Sequence, residues 1–122
     1  MISKILCVAL ASGALLLAFG PPGEEDRGKD LFARRCSGCH APDLIKEGPP
    51  LRGIYGRKAG SVPGFVYSDA LKGLGIRWDE ATLDRWLTNP DALAPDTDMD
   101  FRLTDGSERR AVIAYLKSLR NL

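Results

Sequence analysis

The sequence predicts a single all-α domain with long connecting loops. Its 122 residues fit one domain of ordinary size. Four short stretches have apolar residues at helical spacing, glycine- and proline-rich segments separate them, and there is no internal repeat. The 17 basic and 16 acidic residues give a formal net charge of +1, so the composition indicates neither a nucleic-acid-binding surface nor an acidic tail.

The N-terminal residues 1–20 are typical of an export signal. One positive charge, on Lys4, precedes an uncharged apolar run from Ile5 to Phe19, and a Gly-Pro-Pro-Gly sequence follows. The run is shorter than the roughly 20 apolar residues of a membrane-spanning helix. We therefore expect a periplasmic protein without a membrane span. The alternative is an uncleaved signal that tethers the protein to the membrane.

The end of the signal stays open. A small-x-small pattern at Ala18-Phe19-Gly20 is followed by Pro21, which is a poor neighbour for cleavage. Cys7 lies inside the apolar run and would leave with it. Residues 21–27 then form a linker and the start of the first helix, and residues 28–122 form the functional domain.

The first helix is predicted from about Asp26 to Ser37. Acidic residues enrich its first turn, which favours a helix N-terminus, and Leu31 and Phe32 supply an apolar side. The following segment, 41–64, holds four of the eight prolines and five glycines, so we predict a loop. Such a long loop is unusual in a compact domain of this size, which indicates that something besides helices fills the interior.

Three further helices are predicted. A short one runs from about Ser68 to Leu74, and another runs from Asp79, a capping residue, to Thr88. Asn89-Pro90 would end the latter. The last helix begins at Thr104 or Asp105, and its apolar stripe at helical spacing consists of Val112, Tyr115, Leu116 and Leu119.

The strongest functional signal is Cys36-Ser37-Gly38-Cys39-His40, a CxxCH arrangement typical of covalently attached c-type haem. Two thiols three positions apart lie on one side of a helical turn and can bond the two vinyl groups of a haem. The next residue, His40, then presents its imidazole to the iron. A haem is also the flat apolar group that would fill the interior, so we predict one covalent haem c with His40 as an axial ligand.

Two other interpretations of the cysteines have less support. A zinc site needs further Cys or His ligands, but His40 is the only histidine and Cys7 would leave with the signal. A redox dithiol usually follows a strand in a βαβ unit, and no strand pattern precedes Cys36.

Met99 is the candidate for the second axial ligand. With a single histidine, a pair of histidine ligands is impossible within one chain, and Met99 is the only methionine that remains after export. Elimination alone leaves open the alternative that Met99 is an ordinary core or surface methionine.

From Gly28 to Leu119 the sequence resembles the class I cytochromes c of the mitochondrial and bacterial c2 type. This resemblance implies the cytochrome c fold, in which the first and last helices cross at Gly28, and it strengthens the assignment of Met99 as a ligand. The segments that carry the resemblance are Gly28-Lys29-Asp30-Leu31-Phe32, the CxxCH motif, Gly48-Pro49-Pro50-Leu51, residues 56–61 and 64–70, Asn89-Pro90 and Pro95-Asp96-Thr97-Asp98-Met99.

The resemblance implies roles for five further residues. The Pro49 carbonyl would accept a hydrogen bond from the imidazole N–H of the histidine ligand. Arg57, Tyr67 and Trp78 would bind the haem carboxylates, since buried carboxylates need charged or hydrogen-bonding partners. Thr97 would lie beside the outer carboxylate.

The function that the resemblance implies is one-electron transfer in a respiratory or photosynthetic-type chain, without enzymatic activity. The partners would be redox proteins, namely a membrane cytochrome complex, an oxidase or a dehydrogenase, and the protein would be a monomer. Two alternatives are the haem subunit of an oxidoreductase complex and, if Met99 dissociates, a haem protein that binds small ligands or reacts with peroxide.

Two departures from the family pattern carry their own expectations. The methionine loop is acidic where the mitochondrial pattern has lysines, which predicts a partner with a basic or mainly apolar surface. Leu71 and Trp86 replace the usual asparagine and a frequent tyrosine, and the less polar pocket is expected to raise the reduction potential. The acidic residues of the loop region are Asp91, Asp96, Asp98 and Asp100.

Overall fold

The computed structural model describes Gly13 and residues 23–120. Apart from one isolated bridge between Lys58 and Arg77, the described chain contains only helices and loops, which confirms the all-α prediction. None of these helices is long and apolar enough to cross a membrane. Apart from Gly13, the predicted export signal lies outside the described residues. The helices are α1 (Glu24–Arg35), α2 (Asp69–Lys72), α3 (Glu80–Thr88), α4 (Pro90–Leu93) and α5 (Gly106–Ser118).

Helices α1 and α5 cross at Gly28. A Cβ atom on Gly28 would lie 1.8 Å from the Ala111 carbonyl oxygen, so only glycine permits this approach. Next to the crossing, the rings of Phe32 and Tyr115 pack edge to face with their centroids 5.3 Å apart. The predicted crossing of the first and last helices is confirmed.

The N-terminal ends of three helices follow from acidic residues in or just before their first turns. Helix α1 begins two residues before the predicted start, because Glu24 and Glu25 also favour its N-terminal end. Helix α3 begins after Asp79, which forms a capping box with Thr82. Asp105 rather than Thr104 caps α5, where its carboxylate accepts hydrogen bonds from two backbone N–H groups of the first turn.

Helix α4 was not predicted. Asn89-Pro90 ends α3 as expected, but Pro90 then occupies the first position of a new short helix. Proline is favoured there because the first helical N–H needs no intrahelical partner. A four-residue helix has too few positions to show a period, so the sequence pattern does not reveal it.

The predicted loop 41–64 contains turns but no helix. Several hydrogen bonds attach it to the rest of the domain, among them those from Gly53 N–H to Leu119 O over 2.7 Å and from Gly56 N–H to Trp78 O over 2.6 Å. The loop therefore forms one wall of the interior, and the helices supply the others.

Candidate cofactor site

The interior holds a cavity of about 380 Å³, enclosed mainly by apolar side chains. This volume lies in the range of small-molecule and cofactor sites. Arg57 is the one predicted site residue that does not line the cavity. The predicted residues that do line it are Cys36, Cys39, His40, Pro49, Tyr67, Trp78, Thr97 and Met99.

His40 is oriented by the loop that follows it. Its Nδ1 lies 2.9 Å from the Pro49 carbonyl oxygen, which can only accept a hydrogen bond, so Nδ1 donates and Nε2 keeps its lone pair. Burial lowers the pKa of His40, partly opposed by this hydrogen bond, and therefore favours the neutral imidazole that binds metals.

Gly48 brings the loop against the imidazole. A Cβ atom at this position would lie 2.2 Å from Cε1 of His40, closer than any side chain can approach. The sequence placed Gly48 in a family motif but did not reveal this contact, because a long loop returning onto the histidine leaves no local pattern.

The two cysteines lie in the turn directly after α1. The Cys36 N–H donates to Phe32 O over 2.9 Å, and the His40 N–H donates to Cys36 O over 2.8 Å, so the turn continues the helical direction. Both thiols are unpaired, with Cys36 partly buried and Cys39 exposed. Both cysteines line the same cavity as the histidine.

The pKa values of both thiols are raised, whereas those of a reactive dithiol are lowered. Burial raises the pKa of Cys36 to about 11. A hydrogen bond to Glu47, 3.3 Å from the sulfur, raises the pKa of Cys39. Redox-active cysteines have lowered pKa values, so this environment does not favour the dithiol interpretation. Residues 23–120 also contain no group of three or more potential metal ligands, which leaves the zinc interpretation without a ligand set.

Arg57 approaches the site from behind Tyr67. Its guanidinium donates to the hydroxyl and to the backbone oxygen of Ser61, each over 3.1 Å. Tyr67 lines the cavity, and its hydroxyl accepts a 3.2 Å hydrogen bond from Val62 N–H. Burial raises the pKa of Tyr67, and the nearby positive charge of Arg57 opposes this rise. Arg57 thus adds positive potential near the cavity without lining it.

Other residues of the cavity wall extend the predicted set. Leu71 and Trp86, which the sequence identified as departures, both line the cavity. Trp78 and Trp86 pack with their ring centroids 5.4 Å apart. Phe101, two residues beyond Met99, also lines the cavity and was not predicted. The available signal was an aromatic residue close to the candidate methionine ligand in an acidic loop.

The chain is similar to a protein family, to individual proteins and to a solved structure. A family model described as Cytochrome c matches residues 25–120. A cytochrome c2 from Rhodomicrobium vannielii is 40% identical over 93% of this chain and 94% of that protein. A cytochrome c from Euglena viridis is 39% identical over 81% of this chain and 100% of that protein. The solved structure of cytochrome cH from Methylobacterium extorquens matches with a TM-score of 0.74 and 40% identity, over 79% of this chain and 99% of that one.

Proposed function

The chain belongs to the cytochrome c family, and on this premise we propose that its cavity residues hold a haem c between His40 and Met99. The protein is an electron carrier rather than an enzyme, and its cofactor is one covalently bound haem c. Cys36 and Cys39 are the proposed attachment points. The observation that carries the proposal is that all four side chains line one cavity, with Nδ1 of His40 committed to Pro49.

The bound haem supplies a couple that accepts and releases one electron at its iron. The residues of this chain set the conditions. His40 presents a neutral imidazole whose orientation Pro49 determines, and Met99 offers a soft thioether, which favours the ferrous state. When both side chains occupy the axial positions, a substrate has no position to bind. Electron transfer then requires only brief contact with a partner.

For the haem carboxylates we propose Tyr67, Trp78 and Thr97 as direct partners. Each lines the cavity, and each carries a hydroxyl or an indole N–H. Arg57 is proposed as the source of positive charge behind Tyr67, because its guanidinium is bound to Ser61 and lies outside the cavity wall. The sequence predicted that Arg57 also binds a haem carboxylate directly, and this proposal differs from that prediction.

The proposed partners are redox proteins with a basic or mainly apolar docking surface. Glu47, Asp98 and Asp100 line the cavity, and all three are exposed. The basic residue that lines it, Arg35, is 3.8 Å from the Glu108 carboxylate. The opening therefore has a negative balance, which would attract cationic patches. A membrane cytochrome complex, an oxidase or a dehydrogenase could present such a patch to a monomeric periplasmic carrier.

The spectrum of the holoprotein tests the ligand assignment. The full chain would be expressed with a haem-maturation system, and oxidised and reduced spectra of the periplasmic fraction would be recorded. We expect a c-type spectrum with the weak far-red ferric band of a methionine–iron bond. A high-spin ferric spectrum would instead favour the alternative of ligand binding or peroxide chemistry at an open iron. A colourless protein would overturn the haem assignment altogether.

A further inference from the structure

The loop that carries Met99 is attached at two points. Its central segment, residues 98–102, makes no hydrogen bond to any other residue of the described chain. Downstream, Leu103 N–H donates to Leu87 O over 2.7 Å and ties the loop to α3. Upstream, a turn over residues 94–97 is closed by a 3.1 Å hydrogen bond from its last N–H to its first carbonyl. The position of Met99 therefore depends on how firmly this turn is held.

The turn contains an unfavourable backbone conformation at Asp96. Its φ of 60° is the only positive value of a non-glycine residue in the described chain. Residues with a Cβ atom disfavour this left-handed region for steric reasons, although aspartate tolerates it better than most. A stabilising contact is therefore needed at this position.

Asp91 provides that contact. Its Oδ1 accepts a 2.9 Å hydrogen bond from the Asp96 N–H, and a carboxylate is a stronger acceptor than a neutral group. Asp91 lies in the first turn of α4, between two buried residues, Pro90 and Ala94. The Ala94 N–H donates to Pro90 O over 3.0 Å and closes the helix. The carboxylate thus projects from a well-packed support.

We propose that Asp91 is a positioning residue for the axial ligand. By holding the Asp96 amide, it maintains the turn three residues before Met99 and keeps the thioether directed into the cavity. The inference rests on the proposed function, because it takes Met99 as the ligand. The inference extends the proposed function, because it gives Asp91, an exposed residue that does not line the cavity, a role in stabilising the proposed methionine–iron bond.

Imidazole competition on the ferric holoprotein tests this role. Added imidazole binds iron only when Met99 has left, so its apparent affinity increases with the population of the dissociated state. Asp91→Ala is expected to raise that affinity about fivefold, the change that a net hydrogen bond of ordinary strength produces. Asp91→Asn keeps an acceptor oxygen and should stay within about twofold of the wild type. Glu80→Ala is the control, because it removes an exposed carboxylate from the first turn of α3 that does not line the cavity.

Two results would overturn the proposal. If Asp91→Asn matched Asp91→Ala, the charge rather than the hydrogen bond would be responsible. If Asp91→Ala matched the wild type, Asp91 would have no role in ligand positioning. Amide hydrogen exchange at Asp96 provides a second readout, which should accelerate in Asp91→Ala and not in Asp91→Asn.

The wild-type spectrum separates this proposal from the proposed function. A ferric protein without the methionine band, before any substitution, would refute Met99 as the ligand and with it the positioning role. Exchange at the Asp96 amide would then still show whether the Asp91 bond exists. A wild type with the band and an Asp91→Ala variant with unchanged imidazole affinity would refute only the present inference.

Discussion

The histidine side and the methionine side of the cavity are held in different ways. On the histidine side the chain folds back on itself, with hydrogen bonds from Gly48 N–H to Cys39 O and from the Leu51 N–H to Ala41 O, in addition to the bond between His40 and Pro49. On the methionine side, residues 98–102 have no hydrogen bond within the described chain. His40, the proposed first ligand, is thus positioned by hydrogen bonds of the protein, while the position of Met99, the proposed second ligand, depends on the two anchors of its loop.

Because the two sides are held differently, substitutions on them should affect different properties of the protein. Changes on the histidine side act on a closely packed structure and should affect folding and incorporation of the cofactor. Changes on the methionine side should leave the fold intact and alter ligand exchange, the potential or docking. The following predictions test this contrast, beginning with the largest expected effect.

Gly48→Ala should disrupt the histidine side most severely. The new methyl group would lie 2.2 Å from the His40 ring, so either the loop or the ligand must move. We expect little holoprotein and a loss of about 3 kcal/mol in the free energy of unfolding, at the upper end for overpacking. Holoprotein yield and thermal unfolding measure this. Gly23→Ala is the matched control, because a Cβ there meets no atom within 4 Å and the residue does not line the cavity. Equal yields for the two variants would contradict the packing argument.

Met99→Ala should remove a ligand without unfolding the domain. The far-red ferric band should disappear, the ferric iron should become high-spin, and the reduction potential should fall by on the order of 0.1 V, within the wide range that axial ligands span. Spectra and redox titration measure these changes. Helical content by circular dichroism should stay near that of the wild type, and an unchanged ferric spectrum would refute Met99 as the ligand.

Asp98→Lys should alter electron exchange with charged reagents. Because Asp98 lines the cavity and is exposed, we expect oxidation by anionic ferricyanide to accelerate, and oxidation by a cationic cobalt complex to slow, by about threefold each at low ionic strength. Salt should suppress both effects. Asp30→Lys makes the same charge change on an exposed α1 residue that does not line the cavity. If both variants gave equal rates, the acidic opening would not be the docking surface.

Leu71→Asn should lower the potential by a smaller amount. Leu71 is buried in the cavity wall, and a polar amide there should stabilise the oxidised iron, for a change on the order of 50 mV. Redox titration measures the change, with Leu71→Met as the apolar control of similar volume. An unchanged potential in Leu71→Asn would contradict the expectation that the less polar pocket raises the potential.

Acid should weaken the histidine side slightly through Asp43. The Arg52 guanidinium, 2.7 Å away, lowers the pKa of this carboxyl below the value of about 3.9 in an unfolded chain. The Asp43–Arg52 ion pair therefore stabilises the folded state fully above the unfolded-state pKa. This stabilisation is lost as the pH falls through the lower pKa of the folded state. Asp43→Asn should have a slightly lower melting temperature than the wild type at pH 7, and this difference should become smaller at pH 3. A constant difference at both pH values would exclude this titration.

Most of the predicted site residues line the cavity, and the signals that led to them are local. The CxxCH motif, the residues that cap α3 and α5, and the proline-rich loop each depend on neighbours a few positions away. The misses involve other physics. Helix α4 is too short to show a period, and the Asp91–Asp96 hydrogen bond depends on a left-handed backbone at a residue that is not glycine. Arg57 donates hydrogen bonds to Ser61 instead of lining the cavity, and the sequence does not show which of these partners its guanidinium contacts.

The all-α class, the cofactor type and the order of all helices except α4 could be predicted from the sequence, because these follow from residue periodicity, composition and short motif spacing. Other contacts between distant groups became visible only in the folded chain. It brought Gly48 against the His40 ring and the Gly53 N–H to the Leu119 carbonyl oxygen, neither of which was predicted. Such contacts depend on how helices and loops pack across long stretches of chain, where steric fit and hydrogen-bond geometry select one arrangement that no local pattern specifies.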